Sequence, residues 1–319
     1  MGPVRRMFIQ AHNQKELTRL VTGGHRVNFI SSFARSGNTW TRNLLADALL
    51  QAQGIATDTD LPVPFQEVVA DYYCDPIGRR HPMITMGGIL VKTHDSFPEL
   101  QGRIYPKAGE APPPGKIFAN CRMVYLYRSP EDVLVSLFHL QRKAKYLAQS
   151  RFGIDEFCRS QLPFWLENLG SYLRACDEGV PVYFVSYEGM LQEPAANLRG
   201  ILQWLEIPHD AGIVERAVGH MGFENIRARE ERALPGHSDY ALRRGKSGGG
   251  LEELQPQTRC HIREAAAPLL KQAQKRLNRQ TSMPTDRLTG EVSSRSVGAP
   301  DSVEGQAGRF ASSRGLQPT

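Results

Sequence analysis

The feature that most limits what this 319-residue chain can fold into is a repeated unit: a short apolar run, a polar stop, then a helical period. The clearest case is Met123-Val124-Tyr125-Leu126-Tyr127, which ends abruptly at Arg128-Ser129-Pro130. Ser129 suits an N-cap, Pro130 the first helical residue, and Glu131 and Asp132 the positive end of the helix dipole. That helix is predicted to run to about Tyr146. A first strand is predicted at Arg26–Ser32, bounded by Gly23-Gly24, and a helix follows over 39–52 with Leu44, Leu45, Ala48 and Leu49 on one face. Further strands fit Gly88–Lys92 and Val182–Ser186. A helix after Pro194 carries Leu198, Ile201, Leu202 and Leu205. Apolar strands alternating with helices predict an α/β fold with a parallel sheet covered on both faces. Ligands collect at the carboxyl ends of such strands. Arg35, Lys92-Thr93-His94, Arg128 and Tyr187 fall at those ends.

Composition narrows the class. Hydrophobic content of 40% and charged content of 23% are those of a globular protein. The net charge of +6 suits an anionic ligand without naming one, and the basic residues form no single arm or helix, so nucleic acid is not expected as a partner. Five cysteines without a C-x-x-C argue against a disulfide framework and a zinc site, and for a reducing compartment. The N-terminal residues lack an apolar signal core, and no apolar run approaches the roughly 18 residues that span a bilayer. A soluble, cytoplasmic protein with no transmembrane segment is expected. Residues 1–24 read as an N-terminal extension, 25–277 as the functional domain and 278–319 as a disordered tail. The Pro- and Gly-containing stretches 53–82 and 95–116 read as insertions, either binding loops or flexible excursions.

The first strand leads into Phe33-Ala34-Arg35-Ser36-Gly37-Asn38-Thr39-Trp40. A strand, a small polar turn and a helix N-terminus form an anion cradle, because free backbone N–H groups and the dipole point at the ligand. The plainer alternative is a helix capped by Asn38 or Ser36. The segment is not a Walker A loop, since no Lys follows Gly37. The third strand also ends in Arg128 where an NTPase would place a carboxylate for magnesium. Cations in that position suit a transfer of an anionic group that requires no metal.

Four segments together resemble the PAPS-dependent sulfotransferases (PAPS, 3′-phosphoadenosine 5′-phosphosulfate). Phe33–Trp40 resembles their 5′-phosphosulfate loop, and Val91-Lys92-Thr93-His94 their K-T-H motif. Tyr127–Ser136 resembles their 3′-phosphate motif, and Leu242–Gly248 their R-K-G-x-x-G element. They occur in the family's order over about residues 25–275. The resemblance implies the P-loop-containing three-layer α/β/α fold and PAPS as cosubstrate. It implies that Arg35, Ser36, Gly37, Asn38 and Thr39 bind the 5′-phosphosulfate and that Trp40 stacks on adenine. Arg128, Ser136, Arg243, Arg244 and Gly245 would hold the 3′-phosphate, with Tyr187 and Phe223 on the nucleotide. The sequence departs from the family's pattern at Phe33-Ala34, where Tyr-Pro is expected, and at Arg35, where the animal cytosolic members usually have Lys. It departs again at Gly248-Gly249-Gly250, where a tryptophan is missing and the glycines suggest a mobile flap.

His94 is then the candidate general base, with an ordinary pKa of roughly 6.5 near working pH. Lys92 would neutralise the transferring group and Arg35 the bridging and leaving oxygens. Two alternatives are a P-loop small-molecule kinase and a PAPS-binding protein with impaired catalysis. The acceptor, a small molecule or carbohydrate bearing a hydroxyl or amine, would meet His94 in a pocket closed by 53–82, 95–116 and 225–242, where Phe65, Tyr72, Tyr73, Phe97 and Tyr105 lie. The short dimer motif of animal members is not evident, so a homodimer stays an open expectation.

Overall fold

The computed structural model describes residues 3–55, 68–77, 88–105, 113–143, 152–222, 224–225 and 248–282. Five strands, β1 (Val27–Ser32), β2 (Ala70–Asp71), β3 (Ile89–Thr93), β4 (Arg122–Tyr127) and β5 (Val182–Ser186), form one sheet in the order β2-β3-β1-β4-β5. Every pairing is parallel. The four strands expected from the sequence are present, and β2 is added at the edge.

Alternation along each strand divides the core into two layers. Phe29, Met123, Tyr125 and Phe184 point to one face, against α1 (Pro3–Thr22), α3 (Phe97–Ile104), α5 (Pro130–Lys143), α6 (Ile154–Asp177) and α11 (Pro256–Ser282). Ile30, Leu90, Val124 and Val185 point to the other, against α2 (Asn38–Ala52), α8 (Pro194–Trp204) and α9 (Ala211–His220). The remaining short helices are α4 (Pro114–Ile117), α7 (Tyr187–Gln192) and α10 (Gly249–Glu253). Leu44, Leu45, Leu49, Leu198, Ile201 and Leu202 are fully buried, so the helical stripes read from the sequence are core stripes. Burying each such side chain contributes about 1.5–3 kcal/mol.

The first helix buries Leu17, Leu20 and Val21 in the same core as β1. Its Asn13 donates to Tyr72 O and Asp75 O at 2.7 and 2.8 Å, and accepts from Ile77 N–H. The stretches read as insertions are in part structural. Tyr72, Ile77, Phe97, Leu100 and Ile104 are buried, and Ser96 and Glu99 close a capping box at the start of α3. Phe97 is held among Phe118 and Tyr172. Tyr72 and Phe97 therefore belong to the core, which corrects their assignment to an acceptor pocket. Tyr73 and Tyr105 are partly buried, and Phe65 lies outside the described residues. Ser129 and Pro130 open α5 as expected; its end near Tyr146 lies outside the described residues. No described helix is long and apolar enough to cross a membrane.

Candidate active site

At the carboxyl end of β1 the chain makes a tight turn, with Ser36 N–H donating to Phe33 O at 3.3 Å. Arg35 has φ 74° and Gly37 φ 98°. Left-handed residues alternating with ordinary ones turn successive N–H groups inward, which makes an anion-binding concavity. Gly37 is required twice over: its φ is positive, and a Cβ there would lie 2.4 Å from the Tyr187 ring. Tyr187, at the end of β5, thus closes directly over the loop.

The first turn of α2 carries no side-chain cap. Neither Ser36 nor Asn38 caps it, so the simple capped-helix alternative does not hold. Asn38 instead donates backward, to Ile30 O at 3.3 Å and Ser32 Oγ at 3.0 Å. Ser36 Oγ and Asn38 Oδ1 are buried without a hydrogen-bond partner. Unsatisfied buried polar atoms are costly and rare. The Ser36 hydroxyl can turn its proton toward an anion beside the uncapped helix N-terminus, so this turn fits a phosphosulfate, whereas Asn38 Oδ1 only accepts and does not serve an anion. Thr39 is exposed on the same turn. Trp40 is fixed by its indole N–H on Met221 O at 2.8 Å and stands edge-on to Tyr187.

Two arginines complete this side. Arg35 Nε donates to Ser136 Oγ on α5 at 3.0 Å. Arg128 lies over the Tyr187 ring, 4.3 Å from its centroid, and its Nη1 donates to Arg35 O at 3.4 Å. Arg35, Ser36, Gly37, Asn38, Thr39, Trp40, Arg128, Ser136 and Tyr187 therefore converge. Phe223, Arg243, Arg244 and Gly245 lie outside the described residues.

The third strand brings Lys92 and His94 to the same edge. His94 Nδ1 lies 2.9 Å from Ser32 O, and a carbonyl only accepts, so Nδ1 carries the proton and the Nε2 lone pair is free to take one. Burial and the neighbouring Lys92 cation push the imidazole down to about 4, which keeps it neutral at ordinary pH. Lys92 Nζ is paired with Asp71 on β2 at 2.7 Å, with both side chains largely buried. Burial alone would raise the Asp71 carboxyl, but Lys92, the Tyr73 N–H and Arg42 outweigh it and hold it below the usual range.

Several residues missed from the sequence support these groups. Ser32 Oγ accepts from Asn38 and also lies 3.3 Å from His94 Nδ1, tying His94 to the loop after β1. Asn168 on α6 donates to His94 O at 3.2 Å and accepts from Tyr125 OH at 2.7 Å. Asp95 is clamped by Arg103 at 2.7 and 2.8 Å, by Thr93 Oγ1, and by the Tyr73 hydroxyl. The strand-end position of Ser32 was the one signal available in the sequence. Asp71, Asn168 and Arg103 reach the site from elements the sequence leaves unmarked.

The glycine run expected to form a mobile flap is docked. Gly248 N–H and Gly250 N–H donate to the two oxygens of Asp132 at 2.8 and 2.7 Å.

The parallel sheet with an anion cradle after its central strand, arginines in place of metal ligands and a neutral histidine opposite defines a P-loop-like group transferase. The sulfotransferase domain model matches residues 26–274, and the chain belongs to that family. A flavonol sulfotransferase-like protein of Flaveria bidentis is 26% identical over 220 residues, covering 63% of this chain and 66% of that protein's length. Cytosolic sulfotransferase 7 of Arabidopsis thaliana is 24% identical over 255 residues, covering 72% and 74%. Among solved structures, mouse sulfotransferase SULT7A1 complexed with PAP is similar with a TM-score of 0.56 at 16% identity, covering 86% of this chain and 96% of that one. That likeness shows the shared P-loop-containing α/β fold.

Proposed function

We propose that this chain transfers the sulfuryl group of PAPS to a hydroxyl or amine acceptor by in-line displacement, with His94 as general base and no metal. The observation that carries the reading is the Ser32 bridge: one residue fixes the His94 tautomer through its carbonyl and holds Asn38 of the donor loop through its hydroxyl. Base and donor cradle are thereby set against each other on one rigid strand end.

PAPS supplies the activated sulfuryl group. Arg35, Ser36, Gly37, Asn38 and Thr39 hold its 5′-phosphosulfate, and the buried, unpartnered Ser36 hydroxyl beside the uncapped helix N-terminus supports that placement. Arg128 and Ser136 hold the 3′-phosphate, joined in this reading by Arg243, Arg244 and Gly245. Trp40, Tyr187 and Phe223 hold the nucleoside. An arginine fork matches a phosphate oxygen pair, and Arg35 acts by charge and hydrogen bonds because it does not release its proton at ordinary pH. His94 Nε2 takes the acceptor's proton. Lys92 supplies positive charge at the transferring group, shared with Asp71. The family's relatives include proteins named as flavonol and cytosolic sulfotransferases, which supports a small-molecule acceptor and a cytosolic location.

The test is transfer of radiolabel from PAPS to pooled phenols, alcohols, amines and sugars in the presence of EDTA. Labelled product that disappears in His94→Ala supports the reading. Label transferred only with added magnesium, or at the same rate by His94→Ala, overturns it.

A further inference from the structure

We propose that Asp132 is a positioning residue that fixes Arg128 for the donor's 3′-phosphate, and that the glycines at 248 and 250 exist to lock its carboxylate in place. The proposal rests on the reading of this site as a PAPS site.

Asp132 lies on the first turn of α5, and its side chain is 2% exposed. Its oxygens are taken on one side by the backbone: Gly248 N–H on Oδ2 at 2.8 Å and Gly250 N–H on Oδ1 at 2.7 Å. On the other side Oδ2 faces Arg128 Nη2 at 3.4 Å. Arg128 is thus bounded by a carboxylate, the Tyr187 ring and the Arg35 carbonyl. A long side chain confined on three sides has lost its rotamer freedom before a ligand arrives.

The backbone contact leaves no room for a side chain. A Cβ on Gly250 would lie 2.5 Å from Glu131 C, 2.7 Å from Glu131 O and 2.8 Å from Asp132 N. Gly248 has φ 99°, which a side chain rarely tolerates. The run therefore docks by its backbone. Glu131 reinforces the same corner through Arg263 at 2.7 Å and Ser129 Oγ at 2.9 Å.

A carboxylate beside a phosphate site also repels the phosphate. Two N–H donors aimed at it offset that charge, so the sign of the effect of Asp132→Asn separates a positioning role from bystander charge. Removal of a bystander would tighten binding.

The experiment is calorimetric titration of adenosine 3′,5′-bisphosphate and adenosine 5′-monophosphate into wild type, Asp132→Asn, Gly250→Ala, Arg128→Met and the double variant Asp132→Asn/Arg128→Met, after each variant's melting is checked. Asp132→Asn is expected to weaken the bisphosphate about tenfold and the monophosphate less than about threefold, with little further loss in the Arg128→Met background. Gly250→Ala shifts the same ratio from the other side of the contact, and carries the test if Asp132→Asn does not fold. Unchanged or tighter bisphosphate binding, equal weakening of both nucleotides, or a full effect of Asp132→Asn without Arg128 would overturn the proposal. If wild type itself does not prefer the bisphosphate, the donor reading fails instead.

Discussion

At the scale of single residues, the proposed chemistry rests on His94 and Ser32. With Nδ1 committed to the Ser32 carbonyl, the ring offers Nε2. His94→Ala is expected to lower kcat by about 10²–10⁴-fold while the Kd for adenosine 3′,5′-bisphosphate stays within about threefold, measured by single-turnover transfer and calorimetry. The pH dependence follows from the shift to about 4. The acid limb of kcat/KM, which reports the free enzyme, is expected well below the roughly 6.5 of an ordinary histidine. The same shift acts on stability. The folded pKa lies below the unfolded one, so the unfolded chain takes the proton first. The contribution is intact above about pH 6.5 and is lost as pH falls toward 4. A kinetic limb at or above 6.5 would remove the burial argument. The residues proposed to hold the donor stood out in the sequence because they crowd one loop and two strand ends. Ser32, Asp71 and Asn168 were not, because each acts on another side chain across the fold, and such contacts have no spacing along the chain.

Among the elements, α1 shows what a sequence pattern hides. Its apolar residues are sparse, yet Leu17 is fully buried beside β1 and Asn13 holds the turn after β2. Leu17→Ala is expected to destabilise the fold by about 2–5 kcal/mol in denaturant titration, through lost contacts and a residual cavity. A change below about 0.5 kcal/mol, the size usual for a surface site, would mean that the helix is only an appendage. β2 escaped notice because two residues carry no period; it is a strand only because β3 offers it an edge. The 24-residue α6 contains Pro163 and the 27-residue α11 contains Pro268, and both overrode that signal by burying one face on the sheet. The four strands read from the sequence were legible because each carries an apolar run buried on both faces of the sheet. The glycine run misled for the opposite reason. Gly248 and Gly250 look permissive in sequence, but both donate their N–H to Asp132, Gly248 from a positive φ and Gly250 through the space its missing side chain leaves.

For the whole molecule, the order β2-β3-β1-β4-β5 gathers the ends of β1, β3, β4 and β5 into one row. The register sets Ser31 opposite Thr93, Ser32 opposite Leu126 and Tyr127 opposite Ser186, so the loop after β1, His94 and Arg128 emerge side by side. Where NTPases recruit a metal, this row presents Arg35, Arg128 and Lys92. These cations and the uncapped helix are proposed to hold a nucleotide bearing a 3′-phosphate without help from magnesium. Calorimetry in EDTA, comparing adenosine 3′,5′-bisphosphate with ATP and then with ATP and excess magnesium, tests it most directly. The account predicts micromolar or tighter binding of the bisphosphate in EDTA, about 100-fold or more ahead of either form of ATP. Tighter binding of magnesium-ATP than of the bisphosphate would contradict it.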